Sequence, residues 1–337
     1  MSTSKQIREL IDDAKNIVII QADNPDGDSL ASSLALEQIL HDMGKIPHLY
    51  CGIDMPSYLH YLQGWDRVNK DIPKQFDLSI IVDCSSKGLL ESAEKSGQLS
   101  WLAAKPSIVI DHHDVEPTID FAKVIHNQTH AVSTGEVIYE LAKELGWKLD
   151  KNALSMIAIS ILADSLGLMS DATTARSIRI IAEIVENGVN LAELDAARRQ
   201  LMRKSVELTQ YKGDLLKRIE YFDDDRIAIV TIPWEEIERY SHAYNPSMLV
   251  LDDMRLTENT DVAIAFKVYK DKKITGKIRA NFGKAIANKI ASHFGGGGHP
   301  YAAGFKILDG TPLDDVKKEC VQVASWLLDE INKDGQK

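Results

Sequence analysis

Short runs of apolar residues in the first third of the chain are each followed by a polar or helix-like stretch. An apolar run bounded by turn residues predicts a strand buried on both faces, as in the interior of a parallel sheet. Residues 29–43 carry leucine and isoleucine at roughly helical spacing, and Gly44 ends this predicted helix. Strands that alternate with helices indicate a doubly wound, mostly parallel α/β sheet. The predicted strands are residues 16–21, 47–51, 78–82, 107–111 and 121–125.

The pattern becomes helical between residues 132 and 187. Its middle part, 152–163, is a run of twelve uncharged residues (NALSMIAISILA), which predicts a helix buried almost all round. The next segment, 191–220, is rich in Arg, Lys and Glu, and we interpret it as a helix that connects two domains.

Strand patterns return after residue 220 and differ from those of the first half. The strands at 261–269 and 272–282 are separated by a short polar turn, which predicts a hairpin. We therefore expect a first domain at 1–190, a connecting helix at 191–220 and a smaller α+β domain at 221–337. The predicted elements of this second domain are strands at 226–232, 261–269, 272–282 and 305–308 and helices at 285–294 and 313–331.

Composition and charge exclude several classes of partner. The chain of 337 residues has 39 Lys and Arg against 50 Asp and Glu, a formal net charge of −11. Because it has no general positive field, we expect no binding of duplex DNA, and a nucleic-acid substrate should be short and held by a local pocket. The polar N-terminus and the absence of a long apolar run predict no signal peptide and no membrane partner. Three scattered cysteines indicate reduced thiols in a cytoplasm.

Acidic and histidine side chains follow the predicted strands. The first strand leads into Asp26 and Asp28, which flank Gly27; the 78–82 strand ends at Asp83. The 107–111 strand ends in Asp111, followed by His112 and His113. Since ligands of such sheets bind beyond the carboxyl ends of the strands, these side chains are expected to share one crevice.

Each of these residues has a structural explanation when it is taken alone. Asp26 or Asp83 could cap a helix, and a single histidine is more often a core residue than a ligand. Asp164 is harder to explain in this way, because an ionised carboxylate beside a long uncharged helix is costly to bury unless it is paired or bound to metal. Carboxylates with one or two imidazoles suit Mn²⁺, or Mg²⁺, better than structural zinc. We therefore predict two divalent ions, with Mn²⁺ preferred, and hydrolysis at phosphorus.

Five motifs resemble those of the DHH phosphoesterases and their associated C-terminal substrate domain. In chain order they read NPDGDSLASSLAL, IIVDCSS, VIDHHD, ILADSLG and FGGGGHPYAAGF. Within the superfamily the length and the GGGGH motif resemble the oligoribonucleases and phosphoadenosine-phosphate phosphatases of the nanoRNase type. The resemblance implies that Asp26 and Asp28 each bind one ion, and that Asp83 bridges the two. It further implies that His112 and Asp164 complete the second ion's ligands, that His113 faces the scissile phosphate, and that Asp111 orients an imidazole.

In the second domain the resemblance implies contacts with the substrate's terminal phosphate. The candidates are the backbone of Gly295, Gly296, Gly297 and Gly298 and the side chain of His299. Glycines let backbone N–H groups approach an anion closely, although a glycine run taken alone could equally be a flexible loop. Arg279 is the candidate for a bidentate phosphate contact; the family commonly has its arginine slightly later, near Asn281. A cleft between the domains is expected to contain the active site.

One position departs from the family pattern. The family usually has a metal-binding histidine four residues before Asp26, where this chain has Ala22. Gln21 and Asp23 flank it, and we predict that Gln21 supplies the replacement ligand at the end of its strand, leaving the first ion more weakly bound than the second.

The expected substrates are short single-stranded oligonucleotides or small nucleotides such as pAp. The sequence leaves open whether the chain forms a homodimer. The alternatives are cleavage of cyclic dinucleotides or their linear products and, from another class, a weakly active nucleotide-binding protein, for which Ala22 is the positive indication. An inorganic pyrophosphatase is less expected, because those relatives lack the GGGGH domain.

Overall fold

The computed structural model describes residues 2–334, and the chain divides into two compact units between Arg203 and Lys204. Where the sequence predicts one connecting helix at 191–220, the structure has two, Leu191–Leu201 and Val206–Lys217. The second of them begins because the Ser205 side chain accepts a hydrogen bond from the backbone N–H of Leu208, an N-cap that starts a new helix.

The first unit is built on a sheet of five parallel strands in the order β2-β1-β3-β4-β5. Chain order and spatial order diverge at β1, which lies between β2 and β3, so the switch point of the sheet falls between β1 and β3. This confirms the predicted doubly wound α/β fold. The strands are β1 (Asn16–Ile20), β2 (Ile46–Tyr50), β3 (Leu78–Val82), β4 (Ser107–Asp111) and β5 (Val124–Asn127).

Eight helices surround this sheet within the described residues. The 152–163 segment lies in one helix with Ile157 and Ile161 fully buried, as predicted, and the helical region 132–187 consists of three helices. Gly146 ends the first of the three in a left-handed conformation, with φ of 67°. The helices are α1 (Thr3–Asp13), α2 (Gly27–Asp42), α3 (Glu91–Lys95), α4 (Leu99–Ala103), α5 (Thr134–Leu145), α6 (Lys151–Asp164), α7 (Ala175–Glu186) and α8 (Leu191–Leu201).

Alternate residues of β1 pack on opposite faces of the first sheet. Ile17 and Ile19 belong to the larger apolar cluster, which contains residues of α1, α2 and α5. Val18 and Ile20 belong to the cluster with residues of α3 and α4. Because both faces are covered, the central strands read as unbroken apolar runs. The edge strand β5 differs: its burial alternates, with Ile125 exposed, and it starts three residues later than the predicted 121–125.

The second unit has a mixed sheet of six strands in the order β10-β11-β9-β8-β7-β6. The predicted hairpin is present as the antiparallel pair β8 and β9. The short edge strand β6 was not predicted, and β11 begins three residues before the predicted 305–308. The strands are β6 (Glu220–Phe222), β7 (Ile227–Ile232), β8 (Val262–Val268), β9 (Ile274–Ala280), β10 (Gly297–His299) and β11 (Ala302–Ile307).

Helices cover both faces of this second sheet. One apolar cluster joins Ile264 and Ile278 to Ile290 and Cys320, and the other joins Ala263 and Ala265 to helix residues such as Leu215. The sequence did not indicate α10 and α11, which are short. The helices of the unit are α9 (Val206–Lys217), α10 (Trp234–Tyr240), α11 (Leu251–Arg255), α12 (Ala287–His293) and α13 (Leu313–Asp334). Across residues 2–334, no helix has the length and apolar character needed to cross a membrane.

The glycine run is ordered by strand pairing. Gly297–His299 form β10, antiparallel to β11, so the flexible-loop interpretation is wrong. Gly298 has φ of 139°, and a Cβ there would lie 2.6 Å from the Cα of Ala303. Gly297, one residue earlier, has no atom within 4 Å of the equivalent position. The close approach of β10 to β11 therefore depends on particular glycines of the run.

We predict that Gly298→Ala lowers the free energy of unfolding by about 1–3 kcal/mol, because the new methyl group meets backbone at an unfavourable φ. Gly297→Ala is the matched control and should change it by less than about 0.5 kcal/mol. Denaturant unfolding of the two variants beside the unmodified chain measures the difference. Equal stability of both variants would contradict the pairing of β10 with β11.

Candidate metal centre

The side chains that follow β1, β3 and β4 meet at the switch point of the first sheet. Asp28 lies in the first turn of α2, and Asp83 follows β3 directly with an unusual φ of 57° for a residue other than glycine. His112 follows β4, and Asp164 ends α6. A strained backbone at a buried carboxylate is typical of a functional site, where the surrounding structure holds the side chain in position.

His112 lies at the centre of this cluster. Its Nε2 atom is 3.6 Å from Asp28 Oδ2, 3.5 Å from Asp83 Oδ1 and 3.4 Å from Asp164 Oδ2. Its Nδ1 atom is 3.3 Å from the carbonyl oxygen of Ala131, which can only be the acceptor of this hydrogen bond. The imidazole therefore donates through Nδ1, and its Nε2 lone pair points at three carboxylates.

This arrangement fits a cation. Nε2 of His112 is buried and has no hydrogen-bond partner among residues 2–334. Without a cation, a ring lone pair and three carboxylates would face one another in a largely dry site, which is unfavourable. Oxygen atoms with one imidazole nitrogen are ligands that suit Mn²⁺ or Mg²⁺. Two ligand sets lie close enough to hold an ion, namely Asp28 with His112 and Asp164, and Asp83 with His112 and His113.

Asp28 is held by the N-terminus of α5 and by serine side chains. Its Oδ2 accepts a hydrogen bond from the backbone N–H of Thr134 at 2.8 Å, and its Oδ1 accepts from Ser32 Oγ at 2.7 Å and Ser160 Oγ at 2.6 Å. This fully buried carboxylate therefore has hydrogen-bond donors on both of its oxygens, and the helix N-terminus adds a favourable dipole.

Thr134 and Ser160 were missed by the sequence reasoning. Thr134 Oγ1 donates to Asp83 Oδ1 at 2.9 Å, so one residue positions both Asp28 and Asp83. A Cβ at Gly135 would lie 2.1 Å from Ser160 Oγ, so only glycine lets Ser160 approach. The segment Ser133-Thr134-Gly135 before an apolar helix was the available signal, since it has the composition of an N-cap.

His113 and Asp111 form a hydrogen-bonded pair beside the cluster. His113 Nδ1 is 2.8 Å from Asp111 Oδ1, and this bond raises the pKa of the imidazole. Burial alone would raise the pKa of Asp111, but bonds from His113 and from the backbone N–H of His112 hold it below its usual value. About half of the His113 side chain is exposed, so this imidazole with its raised pKa lies at the open side of the carboxylate cluster.

The remaining carboxylates repel one another. Burial, together with the charges of Asp28 and Asp26, raises the pKa of Asp83 well above its usual range. The same causes raise the pKa of Asp164 to about 7. Asp26 caps α2 by accepting a hydrogen bond from Ser29 N at 3.0 Å, and burial raises its pKa. Asp26 therefore caps α2 and also adds its charge to the carboxylate cluster.

Gln21 and Asp23, which flank the position where the sequence departs from the family pattern, have different roles. Asp23 Oδ2 accepts a hydrogen bond from the backbone N–H of Ser92 at 2.6 Å, so this carboxylate braces the start of α3. Ala22 packs in the apolar cluster with Val18 and Ile20. Gln21 is fully buried, and neither amide atom of its side chain has a hydrogen-bond partner in the described chain. The carboxamide of Gln21 is therefore available for a ligand.

In the second unit, strand pairing brings Arg279 and His299 to one face of the sheet. Both pair with Ala302, His299 from β10 and Arg279 from β9. Directly opposed residues of neighbouring strands point to the same face, so only the small Ala302 lies between them. Asn281, the other position considered, donates to the carbonyl oxygens of Arg255 and Thr260 and braces the backbone.

Two family profiles match the chain. Residues 16–161 match the DHH family, N-terminal domain, and residues 245–326 match the DHHA1 domain. The chain is 22% identical to the bifunctional oligoribonuclease and PAP phosphatase NrnA of Bacillus subtilis, over 304 residues that cover 89% of this chain and 92% of that protein. It is 26% identical to the protein of the same name from Thermus thermophilus, over 303 residues that cover 89% of this chain and 86% of that protein.

A solved structure has the same fold over nearly the whole length. It is the exopolyphosphatase-related protein from Bacteroides fragilis, with a TM-score of 0.81 at 20% sequence identity, covering 97% of each chain. This likeness supports the two-domain α/β architecture.

The raised pKa of Asp164 predicts a pH dependence for the metal-free chain. Between the usual value of 3.8 and about 7, the folded chain holds a proton that the unfolded chain has released. Stability in the presence of a chelator should therefore fall as the pH rises from about 4 to about 7. Asp164→Asn should flatten this slope, whereas Asp171→Asn, at an exposed site nearby, should not. Thermal unfolding at several pH values measures both; equal slopes for Asp164→Asn and the unmodified chain would contradict it.

Proposed function

The chain belongs to the DHH family, and from this premise we propose that it is a metal-dependent phosphoesterase that hydrolyses short oligonucleotides and small nucleotides such as pAp. The names of the Bacillus subtilis and Thermus thermophilus relatives, an oligoribonuclease and PAP phosphatase, support this substrate class, since the chain covers most of their length. The two matched domains are those of a hydrolase acting on phosphoester bonds.

The observation that carries the proposal is the surroundings of His112 Nε2. Three carboxylate oxygens lie within 3.6 Å of a ring nitrogen that has no hydrogen-bond partner in the described chain, and this arrangement supports a binding site for a divalent cation. We propose two Mn²⁺ ions, with Mg²⁺ as the alternative. Asp28, His112 and Asp164 bind one ion, Asp26 and Gln21 bind the other, and Asp83 contacts both.

Bound ions of this kind activate water and neutralise a phosphoryl oxygen. The residues of the chain do the rest. The N-terminus of α5 and Ser160 hold Asp28 in position, and Thr134 fixes the orientation of Asp83. His113, protonated and aligned by Asp111, donates a hydrogen bond to a phosphate oxygen of the substrate.

The second unit binds a further phosphate of the substrate in this proposal. Arg279 offers a planar guanidinium that can contact two phosphate oxygens at once, and His299 lies on the same face of the sheet. The N–H groups of the edge strand β10 are the remaining donors. The three buried, unbonded cysteines support a reducing, cytoplasmic environment.

Ala22 favours a second candidate, a nucleotide-binding protein with little activity. A carboxamide at Gln21 is a weaker ligand than the histidine that the family pattern has at position 22. Cyclic dinucleotides are a further substrate class that the same centre could cleave. Release of mononucleotide from a dinucleotide in the presence of Mn²⁺ separates the enzyme from the binding protein, and a panel of pAp, dinucleotides, cyclic dinucleotides and pyrophosphate ranks the substrates.

We predict that Asp83→Asn lowers kcat by more than about 100-fold and reduces the bound manganese, because it removes the carboxylate that contacts both ions. His299→Ala is the matched comparison: it should chiefly raise KM and leave the metal content unchanged. Steady-state kinetics with metal analysis of both variants gives the result. Full activity of Asp83→Asn with normal manganese would contradict the bridging role, and loss of metal in His299→Ala would place His299 among the ligands.

The first ion should bind more weakly than the second, because a neutral carboxamide replaces an imidazole. Titration with Mn²⁺ is expected to show two unequal sites, and Gln21→Leu should weaken the weaker one further. Ala22→His should tighten it where the local backbone permits. Two sites of equal, tight affinity in the unmodified chain would instead indicate a full substitute ligand from the turn, with Asp23 as the donor.

A further inference from the structure

A row of cationic side chains runs along one face of the second sheet, beyond Arg279. Register places Lys277 opposite Gly304 of β11, and it places Thr275 opposite Lys306 of β11 and Lys267 of β8. Because opposed residues share a face, all of these side chains lie on the face that carries Arg279. We name Lys267, Lys277, Arg279 and Lys306 the cationic strip.

Lys267 is the unusual member of the strip. Its side chain lies in the interior of the sheet, between Ile232 of β7 and Thr275 of β9, and the residue is only 8% exposed. The aliphatic stem is buried while the Nζ atom keeps contact with solvent, so the ammonium group is open to a ligand from outside. Within residues 2–334, Lys267 has neither an ion pair nor a hydrogen bond, although lysines elsewhere in the unit do, as Lys212 pairs with Asp253 at 2.8 Å.

The cations of the strip also lie close to one another. Burial and the charge of Lys277 lower the pKa of Lys267, and burial and the charge of Arg279 lower the pKa of Lys277. In a chain whose net charge is −11, such a concentration of unpaired positive charge is local and costly. A bound chain of negative charges would relieve both the burial cost and the mutual repulsion.

The floor of the strip leaves room for a ligand. The residues between the cations on β11 are Ala302 and Gly304, which have little or no side chain. From Thr275 to Arg279 the strand covers four residues, or roughly 13 Å. That length is comparable with about four nucleotides at the rise of roughly 3.4 Å that each has along one strand of a DNA helix.

Two aromatic rings lie at the Lys267 end of this face. Tyr269 follows Lys267 by two residues, and Trp234 begins α10; both pack against the apolar cluster on this side of the sheet. Their ring centroids are 6.1 Å apart, and both side chains are partly exposed. Cations that track a backbone together with aromatic rings on which bases stack are the features of sites for single-stranded nucleic acid.

We propose that the cationic strip binds successive phosphates of a single-stranded oligonucleotide, with a base stacked on Tyr269 or Trp234. The inference rests on the proposed function for the identity of the substrate and extends it. The strip makes the chain prefer substrates with several phosphates over pAp or a dinucleotide, and Lys267, Lys277 and Lys306 determine that preference.

Binding of a labelled, 5′-phosphorylated tetra-adenylate to the full chain tests the strip, measured by fluorescence anisotropy at several salt concentrations. A chelator prevents hydrolysis during the measurement. Lys267→Met with Lys277→Met should weaken binding at least tenfold at low salt. The slope of log affinity against log salt should become shallower by about 1.4, since each lost phosphate contact contributes about 0.7. The affinity for a dinucleotide should fall by a smaller factor in the same variant.

Controls separate the strip from a general loss of charge or of folding. Lys318→Met removes the same charge from the exposed surface of α13, in the same unit, and should bind tetra-adenylate as the unmodified chain does. Lys267→Arg should retain most of the affinity. The thermal unfolding temperature of Lys267→Met should not be lowered, because the variant keeps the buried stem and removes a cation that lies beside Lys277 and is paired with no carboxylate in the described chain.

The aromatic pair distinguishes nucleic acid from an inorganic phosphate chain. Tyr269→Ala should weaken the binding of tetra-adenylate about tenfold and leave the binding of tripolyphosphate unchanged. The control Trp326→Ala, at an exposed site on α13, should change the binding of neither ligand. Tripolyphosphate that competes as strongly as tetra-adenylate would overturn the assignment to nucleic acid.

An unchanged salt slope in Lys267→Met with Lys277→Met would overturn the strip itself. A chain that binds tetra-adenylate through the strip but hydrolyses neither it nor pAp with Mn²⁺ would contradict the proposed function and leave this inference standing. If the chain hydrolyses dinucleotides while the lysine variants bind tetra-adenylate as the unmodified chain does, the proposed function stands and the strip is contradicted.

Discussion

The first unit depends on one electrostatic constraint, the mutual repulsion of carboxylates that the fold collects around His112. Asp28, Asp83 and Asp164 each have an oxygen within 3.6 Å of its Nε2, and Asp26 adds its charge from the start of α2. Such a cluster can be kept in a folded chain only if protons or cations neutralise it. The raised pKa values of Asp83 and Asp164 express this cost in the absence of a cation.

The sheet topology explains why the cluster forms where it does. The switch point between β1 and β3 opens a crevice at their carboxyl ends, and β4 lies directly beside β3. The fold then offsets part of the repulsion with fixed dipoles: the N-terminus of α5 donates to Asp28, and Thr134 donates to Asp83. These neutral donors hold the carboxylates in place without replacing the cation, which preserves an affinity for metal.

The ends of the buried strands could be predicted from the sequence, because a carboxylate after an apolar run is a local pattern. The same patterns identify Asp28, Asp83, His112 and Asp164 as candidates for one site. Thr134 and Ser160 could not be assigned in this way, since their partners are 51 and 132 residues away in the chain. The pairing of the glycine run into β10 likewise depends on its contact with β11, and the cationic strip depends on the register of four strands.

The most direct test of the metal centre is a crystal structure of the full chain grown with Mn²⁺ and measured at a wavelength where manganese scatters anomalously. The account predicts an anomalous peak in contact with His112 Nε2, Asp28 and Asp164, and a second, weaker peak on the other side of Asp83. A map from fully loaded crystals with no peak at His112 and the three carboxylates still clustered around it would contradict the account.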